Sequence, residues 1–358
     1  MKIYCILFDA IGKNKDIENL MKSKKLHCGD FITNSWTATT LASMFSGKTV
    51  SELAPKGFGY EGTYKNILTD REKKKWDSQM IFNLLPEDWH IHIHSMGPTR
   101  GDTNKFKFVP DEICGIDRNY YTYDYNEDVD ETGFMREMQR LPNEENHFIF
   151  LKYNHYHDSV PNEKLMGIAL NRFERIINRI DFKEENSLFW IFSDHGNFKE
   201  IDELMPPPDS WLSWCSVIDN IRKKKVTKDL IYMCDFHNTI LNRVFKQRRK
   251  GDVHHCFDKN RIYVSEDGRR ETGNGTKCTS VSAIKRRSDG SYIQTVFHGG
   301  DAWGKNTLFR TIVYDGNYKD AMREGTSYFK VPVFYDTSLI RFLKNNIWKW
   351  YFDRWNFI

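Results

Sequence analysis

Three short apolar runs constrain the fold more than anything else in the chain. They are residues 3 to 8, His147-Phe148-Ile149-Phe150-Leu151-Lys152-Tyr153, and Leu188-Phe189-Trp190-Ile191-Phe192. Each is continuous rather than alternating, the pattern of parallel strands buried on both faces. Each gives way at its carboxyl end to metal-ligand or acid–base residue types: Asp9; Asn154-His155-Tyr156-His157-Asp158; and Ser193-Asp194-His195-Gly196-Asn197. In open α/β sheets ligands bind beyond the carboxyl ends of the strands, so this convergence predicts a site there. Taken singly, the members have blander readings, and Asp9 could simply cap a helix predicted over Lys15 to Lys24. The Asp194-His195 pair is stronger, because Gly196 beside it permits close backbone approach to a metal.

A second feature is Asn34-Ser35-Trp36-Thr37-Ala38-Thr39-Thr40-Leu41-Ala42-Ser43-Met44-Phe45-Ser46-Gly47-Lys48, hydroxyls followed by an apolar run that closes on glycine. Leu41, Met44 and Phe45 have helical spacing, and the preceding Thr and Ser residues are good N-caps. A hydroxyl at a helix N-terminus can be a cap or a nucleophile that meets phosphate in the same positive field. Taken alone, the cap is the plainer reading.

Composition narrows the class. Hydrophobic residues make up 39% of 358 and aromatics 15%, enough for a sizeable core, so wholesale disorder is excluded. A net charge of +4, spread along the chain, is too mild to argue for nucleic acid. The clusters Arg222-Lys223-Lys224-Lys225 and Lys246-Gln247-Arg248-Arg249-Lys250 read as solvated faces or loops. Seven widely spaced cysteines without a Cys-x-x-Cys pair indicate neither a zinc knuckle nor a redox motif, and Cys5 and Cys234 read as small buried hydrophobes. The opening segment is too short for a signal peptide, and no stretch approaches the roughly 20 apolar residues of a transmembrane helix. The expectation is a soluble protein, cytoplasmic or otherwise intracellular.

Elsewhere the pattern predicts a loop over residues 50 to 75, a short helix over Asp77 to Leu85, and helices over Asp130 to Arg140 and Asn162 to Arg179. Trp89-His90-Ile91-His92-Ile93-His94 alternates strictly, which predicts a half-exposed strand with three histidines on one face; metal binding there is the sharper alternative. Residues 97 to 128 read as a surface excursion. Val226 to Cys234 supplies a further strand or helix start, and Asp235 to Leu241 a capped helix. From about residue 250 the composition shifts to Gly, Ser, Thr and short alternating runs, predicting a small antiparallel subdomain over 251–334. His298 lies within it, as a turn residue or one that reaches the cleft. The tail, 335–358, is helical in pattern and rich in Trp, Tyr and Phe beside Lys and Arg. An interfacial membrane helix making peripheral contact would look like this, and so would an aromatic helix docked on the domain, the reading preferred here.

Asp9, Thr37, His155-x-His157 and Ser193-Asp194-His195-Gly196 together resemble the sulfatase-like branch of the alkaline phosphatase superfamily. The resemblance covers residues 1–250, and it implies a central mostly parallel sheet flanked by helices with a small C-terminal antiparallel subdomain. In that family an acidic residue after the first strand and an Asp-His pair after a later one bind the metal, positions matched by Asp9, Asp194 and His195. A Gly follows the nucleophile by ten residues, and counting back from Gly47 reaches Thr37. The Cys or Ser, the Pro and the Arg of the sulfatase motif are absent, and Ala10 stands where a second acidic residue is usual. A Thr cannot become formylglycine, so the segment looks instead like that of the phosphoethanolamine and phosphoglycerol transferases, which use an unmodified Thr. Thr39 and Thr40 are fallback nucleophiles.

A Thr hydroxyl is a weak nucleophile unless a metal or base draws off its proton. The resemblance therefore implies one divalent ion (Zn, Mn or Ca) on Asp9, Thr37, Asp194 and His195. His157 would protonate the leaving group or bind phosphoryl oxygens, with His155 as its understudy, and His94 and His298 are candidates for substrate contact. The function so implied is a metal-dependent hydrolase or transferase of phosphate mono- or diesters. Its substrate would be a small molecule or a glycan- or lipid-derived ester, with no nucleic acid partner. The alternatives are a sulfate- or phosphonate-ester hydrolase and a sulfatase-like binding protein without turnover.

Overall fold

The computed structural model describes residues 1–13, 15–34, 37–49, 70–94, 118–123, 131–153, 163–196, 211–247, 249, 251–254, 263–267, 270–272, 275–277, 280–286, 290, 292–298 and 309–313. Along the chain run β1 (Lys2–Phe8), α1 (Lys15–Ser23), β2 (Gly29–Ile32), α2 (Thr37–Ser46), α3 (Asp70–Asp77), α4 (Ile81–Leu84), β3 (Trp89–His94) and β4 (Tyr121–Tyr123). They continue with α5 (Glu131–Gln139), β5 (Asn146–Tyr153), α6 (Glu163–Arg179), β6 (Ser187–Phe192), β7 (Leu212–Asp219), β8 (Lys224–Lys225), β9 (Leu230–Tyr232) and α7 (Asp235–Val244). Beyond these, β10 (Tyr263–Asp267), β13 (Ser280–Arg286), β14 (Tyr292–His298) and β15 (Phe309–Val313) form a four-stranded antiparallel sheet. β11 (Arg270–Thr272) and β12 (Gly275–Lys277) pair as a separate ribbon.

The three apolar runs are the centre of the main sheet, whose order is β4-β3-β5-β1-β6-β7-β2-β9 with β8 alongside β7. β1 is flanked by β5 and β6, both parallel to it, so all three carboxyl ends lie on one edge. β7 enters antiparallel between β6 and β2, which makes the sheet mixed.

Because side chains alternate across a strand, the continuous runs feed two separate cores. Ile3, Cys5 and Leu7 of β1, Phe148 and Phe150 of β5, and Leu188, Trp190 and Phe192 of β6 face α2 and α7. There Phe45 packs against Phe82, Phe150 and Phe236 at ring distances of 4.8, 5.7 and 5.7 Å. Tyr4, Ile6 and Phe8, with Ile149, Leu151, Phe189 and Ile191, face α1, α5 and α6. This is why the runs are apolar on both faces, with Lys152 near the carboxyl end of β5 the exception, and why helices cover both faces.

Several expectations need adjusting. β2 was not anticipated. It is four residues long, begins on glycine, and earns its place by pairing with β7 on one side and β9 on the other. The short helix expected over Asp77 to Leu85 is two helices, α3 and α4, divided at Ser78 to Met80. The histidine face of β3 is exposed only at its start: His90 is part-exposed, whereas His92 and His94 are buried, with His92 stacked on Tyr121 and His94 4.9 Å from the Phe134 ring. Of the segments expected over 50–75, 97–128 and 335–358, the first two are described only in part and the tail lies outside the described residues. Among the described residues no helix is long and apolar enough to cross a membrane.

Candidate metal centre at the carboxyl ends of the central strands

Strand parity decides which way the site faces. Asp9 continues the odd positions of β1 and Asp194 the even positions of β6, so both emerge on the α2 side of the sheet. Thr37, the first residue of α2, descends from that same side. α2 is fixed at its far end by Gly47, whose N–H donates to Ser43 O at 2.9 Å in a left-handed cap (φ 69°). A Cβ at Gly47 would stand 2.9 Å from His237 Nδ1 of α7, so only glycine lets the two helices approach this closely.

The backbone around the carboxylates is built to aim them. Ala10 takes a left-handed conformation (φ 57°), costly for a residue with a Cβ, and its N–H donates to Asp194 Oδ1 at 3.2 Å. The His195 N–H donates to the same oxygen at 3.1 Å. Asp194 Oδ1 is thus held by two amides, while Oδ2 is buried and, among the described residues, accepts no comparable amide bond. His195 Nδ1 bonds to Gly196 O at 2.9 Å, which makes Nδ1 the donor and leaves the Nε2 lone pair directed into the site. Nε2 lies 3.6 Å from Asp9 Oδ1 and 3.6 Å from Asp194 Oδ2.

Ligand atoms of Asp9, Asp194 and His195 all lie within 4.8 Å of one another, and all three side chains are buried. Two carboxylates and an imidazole with its second nitrogen anchored to a carbonyl form a donor set that suits a divalent metal ion. Burial first, then the neighbouring Asp9 charge, hold the Asp194 carboxyl above the ordinary carboxylate range; His195, Lys152 and the Thr37 hydroxyl pull it back only in part. A cation between the two carboxylates would remove that conflict.

The second oxygen of Asp9 faces elsewhere. Thr37 Oγ1 donates to Asp9 Oδ2 at 3.4 Å, and Lys152 Nζ lies 2.7 Å from the same oxygen. Lys152 comes one residue before the end of β5, in register with Leu7, and is only 7% exposed. In the sequence Lys152 is one more member of an apolar run. The available signal was a lysine one position before the carboxyl end of an otherwise buried strand.

Among the other residues singled out, the Thr40 hydroxyl accepts the Asn34 N–H at 3.1 Å and lies 3.4 Å from Asp194 O, so it ties the α2 entry to the β6 exit. Thr39 is buried beside it. His94, in register with Leu151, lies on the opposite face of the sheet from Asp9 and Thr37. His298 ends β14. His155 and His157 lie outside the described residues.

No family model and no curated protein sequence matches this chain. It is similar in structure to a phosphoglycerol transferase of Streptococcus pyogenes in complex with sn-glycerol-1-phosphate, at 12% identity over 70% of this chain and 76% of that one, TM-score 0.44. It is similar also to an alkaline phosphatase superfamily protein of Vibrio parahaemolyticus, at 11% identity over 92% and 86%, TM-score 0.46. A third likeness is to the C-terminal periplasmic domain of EcEptC from Escherichia coli in complex with Zn, at 9% identity over 77% and 92%, TM-score 0.47. These are low-identity likenesses and no more; what the chain itself shows is an α/β architecture, a mixed sheet with a parallel centre and helices on both faces.

Proposed function

We propose that this chain is a metal-dependent phosphoester hydrolase or transferase with Thr37 as its nucleophile. The observation that carries the reading is the Thr37 hydroxyl, at a helix N-terminus, donating to the same Asp9 that completes the buried Asp9–Asp194–His195 trio. A divalent ion held by those three residues would supply Lewis-acid stabilisation of the charge that develops on the phosphoryl oxygens. The O, O, N donor set suits Zn or Mn better than Ca, which takes six or more oxygens.

The remaining steps belong to the chain. Thr37 Oγ1 attacks phosphorus and its proton passes to Asp9 Oδ2, already its hydrogen-bond acceptor. The ester P–O bond breaks, and the departing oxygen is protonated, a role for which His157 is the candidate. Water or an acceptor hydroxyl then attacks the phosphothreonine, giving its proton to the group that protonated the departing oxygen; the P–Oγ1 bond breaks, and Thr37 Oγ1 takes back its proton from Asp9 Oδ2. The positive N-terminal end of α2 favours the anionic group throughout.

The test is turnover of bis-p-nitrophenyl phosphate and p-nitrophenyl sulfate with Mn, Zn or Ca added, Thr37→Ala serving as control. The expected result is metal-dependent release from the phosphodiester, reduced at least about a thousandfold by Thr37→Ala. Turnover of the sulfate alone would replace this reading with a sulfatase-like one. Absence of both metal binding and turnover would leave a binding protein.

A further inference from the structure

Asp9 divides the site in two. Its Oδ1 faces His195 Nε2 at 3.6 Å and so belongs to the trio; its Oδ2 faces Lys152 Nζ at 2.7 Å and Thr37 Oγ1 at 3.4 Å. A carboxylate presenting one oxygen to each of two cationic positions is the arrangement of a bridging ligand between paired metal ions. Here one position has a metal donor set and the other holds an ammonium group.

The strand geometry makes that ammonium part of the fold. Lys152 has the parity of Phe148 and Phe150, whose rings pack on Phe45 of α2, so its side chain rises on the face from which Thr37 enters. It stands on the strand next to Asp9, whose N–H donates to Tyr153 O at 2.9 Å and fixes the two strand ends together. Charge points the same way. Asp9 and Asp194 bring two negative charges into a buried site and Lys152 returns one, which leaves room for one divalent ion before the described residues become strongly cationic.

We propose that Lys152 is the site's second cation. It occupies the place beside Asp9 Oδ2 and Thr37 that a second metal ion would otherwise take, and it limits the protein to one divalent ion. It also pairs directly with an oxygen of the phosphoryl group that Thr37 attacks, which makes it a catalytic residue in a position filled from the chain. The proposal rests on the phosphoryl-transfer reading above.

The experiment measures metal and anion binding on the full chain, apart from turnover. Mn is titrated calorimetrically into metal-free wild type, Lys152→Met, Lys152→Gln and Thr37→Ala, metal content is counted after dialysis, and inorganic phosphate is then titrated into each metal-loaded protein. The wild type and Thr37→Ala should bind one ion. Lys152→Met and Lys152→Gln should bind the first ion at least about tenfold more tightly, since a like charge beside a ligand oxygen has been removed, and should bind phosphate at least about tenfold more weakly. Two ions of similar affinity in the wild type would overturn the proposal, as would unchanged metal and phosphate binding in both Lys152 variants. No metal in the wild type would instead defeat the phosphoryl-transfer reading itself. Using two neutral replacements of different polarity keeps the outcome readable if one of them fails to fold.

Discussion

Asp194→Asn should make the metal-free protein more stable while destroying its response to metal. Asp9 and Asp194 ligand atoms lie within 4.8 Å of each other in a buried setting. At an effective dielectric of about 20, two like charges at that separation repel by about 3 kcal/mol. Lys152, 2.7 Å from Asp9, offsets part of this, so about 1–2 kcal/mol should be recovered when Asp194 loses its charge. The replacement keeps Oδ1 to accept the Ala10 and His195 amides, 3.2 and 3.1 Å away. Its new amide N–H₂ can donate toward Asp9. For a chain of this size the gain corresponds to about 1–3 °C in the Tm of the metal-free form. Metal at a hundred times its Kd should raise the wild-type stability by about 2.7 kcal/mol; the variant, lacking one of three ligands, should show almost none of that rise. The pH dependence follows from the sign of the shift. A carboxyl whose folded pKa is raised contributes stability below its unfolded pKa and loses it as pH rises through the folded value. Metal-free wild type should therefore weaken as pH rises from about 4, and Asp194→Asn should lack that component. Differential scanning calorimetry with chelator and with Mn reads both effects. A variant that melts below the metal-free wild type, or that keeps the full metal-induced rise, would refute the reasoning.

Other predictions address the supports of the site. Arg243 is buried between Asp219 (2.7 Å) and Asp252, and His254 Nε2 bonds Asp219 at 2.9 Å. Arg243→Met should cost about 3–5 kcal/mol in urea unfolding by stranding two buried carboxylates, and a loss under 1 kcal/mol would show the network to be incidental. The Arg243 and His254 partners hold Asp219 below the usual carboxylate range, and Arg243 does the same for Asp252, each against the opposing effect of burial. Stability from these groups should therefore be present above about pH 4 and lost as pH falls further. Gly47→Ala should cost about 1–3 kcal/mol from its left-handed φ and the 2.9 Å approach to His237, and adding His237→Ala should relieve the steric share alone. Burial, chiefly, lowers the His92 pKa to about 4. Its ring resonances should accordingly show no titration between pH 7 and 5, and a midpoint near 6.5 would contradict the packing against Tyr123 and His147.

What could be read from the sequence, and what could not, divides along a physical line. Asp9, Asp194 and His195 were legible because each interrupts a continuous apolar run at its end, where a polar residue has no packing reason to be; one edge of a parallel sheet then gathers them. Thr37 was legible as one hydroxyl among several, and what separates it from Thr40 is the partner each reaches in the fold: Thr40 bonds the backbone of Asn34 and Asp194, whereas Thr37 reaches the side-chain carboxylate of Asp9. Lys152 was hidden by the same rule that revealed the others, since it lies inside a run rather than after it and a run reads as core. The strand order removes that ambiguity. Once β5 is known to lie beside β1, parity alone puts Lys152, Asp9 and the α2 helix on one face, and a lysine there must meet the carboxylate or remain buried without a countercharge. β2 and the burial of the β3 histidines fail for a related reason, because a four-residue strand and an alternating one take their environment from neighbours that lie far away in the chain. Local pattern thus located the polar groups that end strands and gather at one edge, while the lysine beside them became visible only through the pairing of the strands.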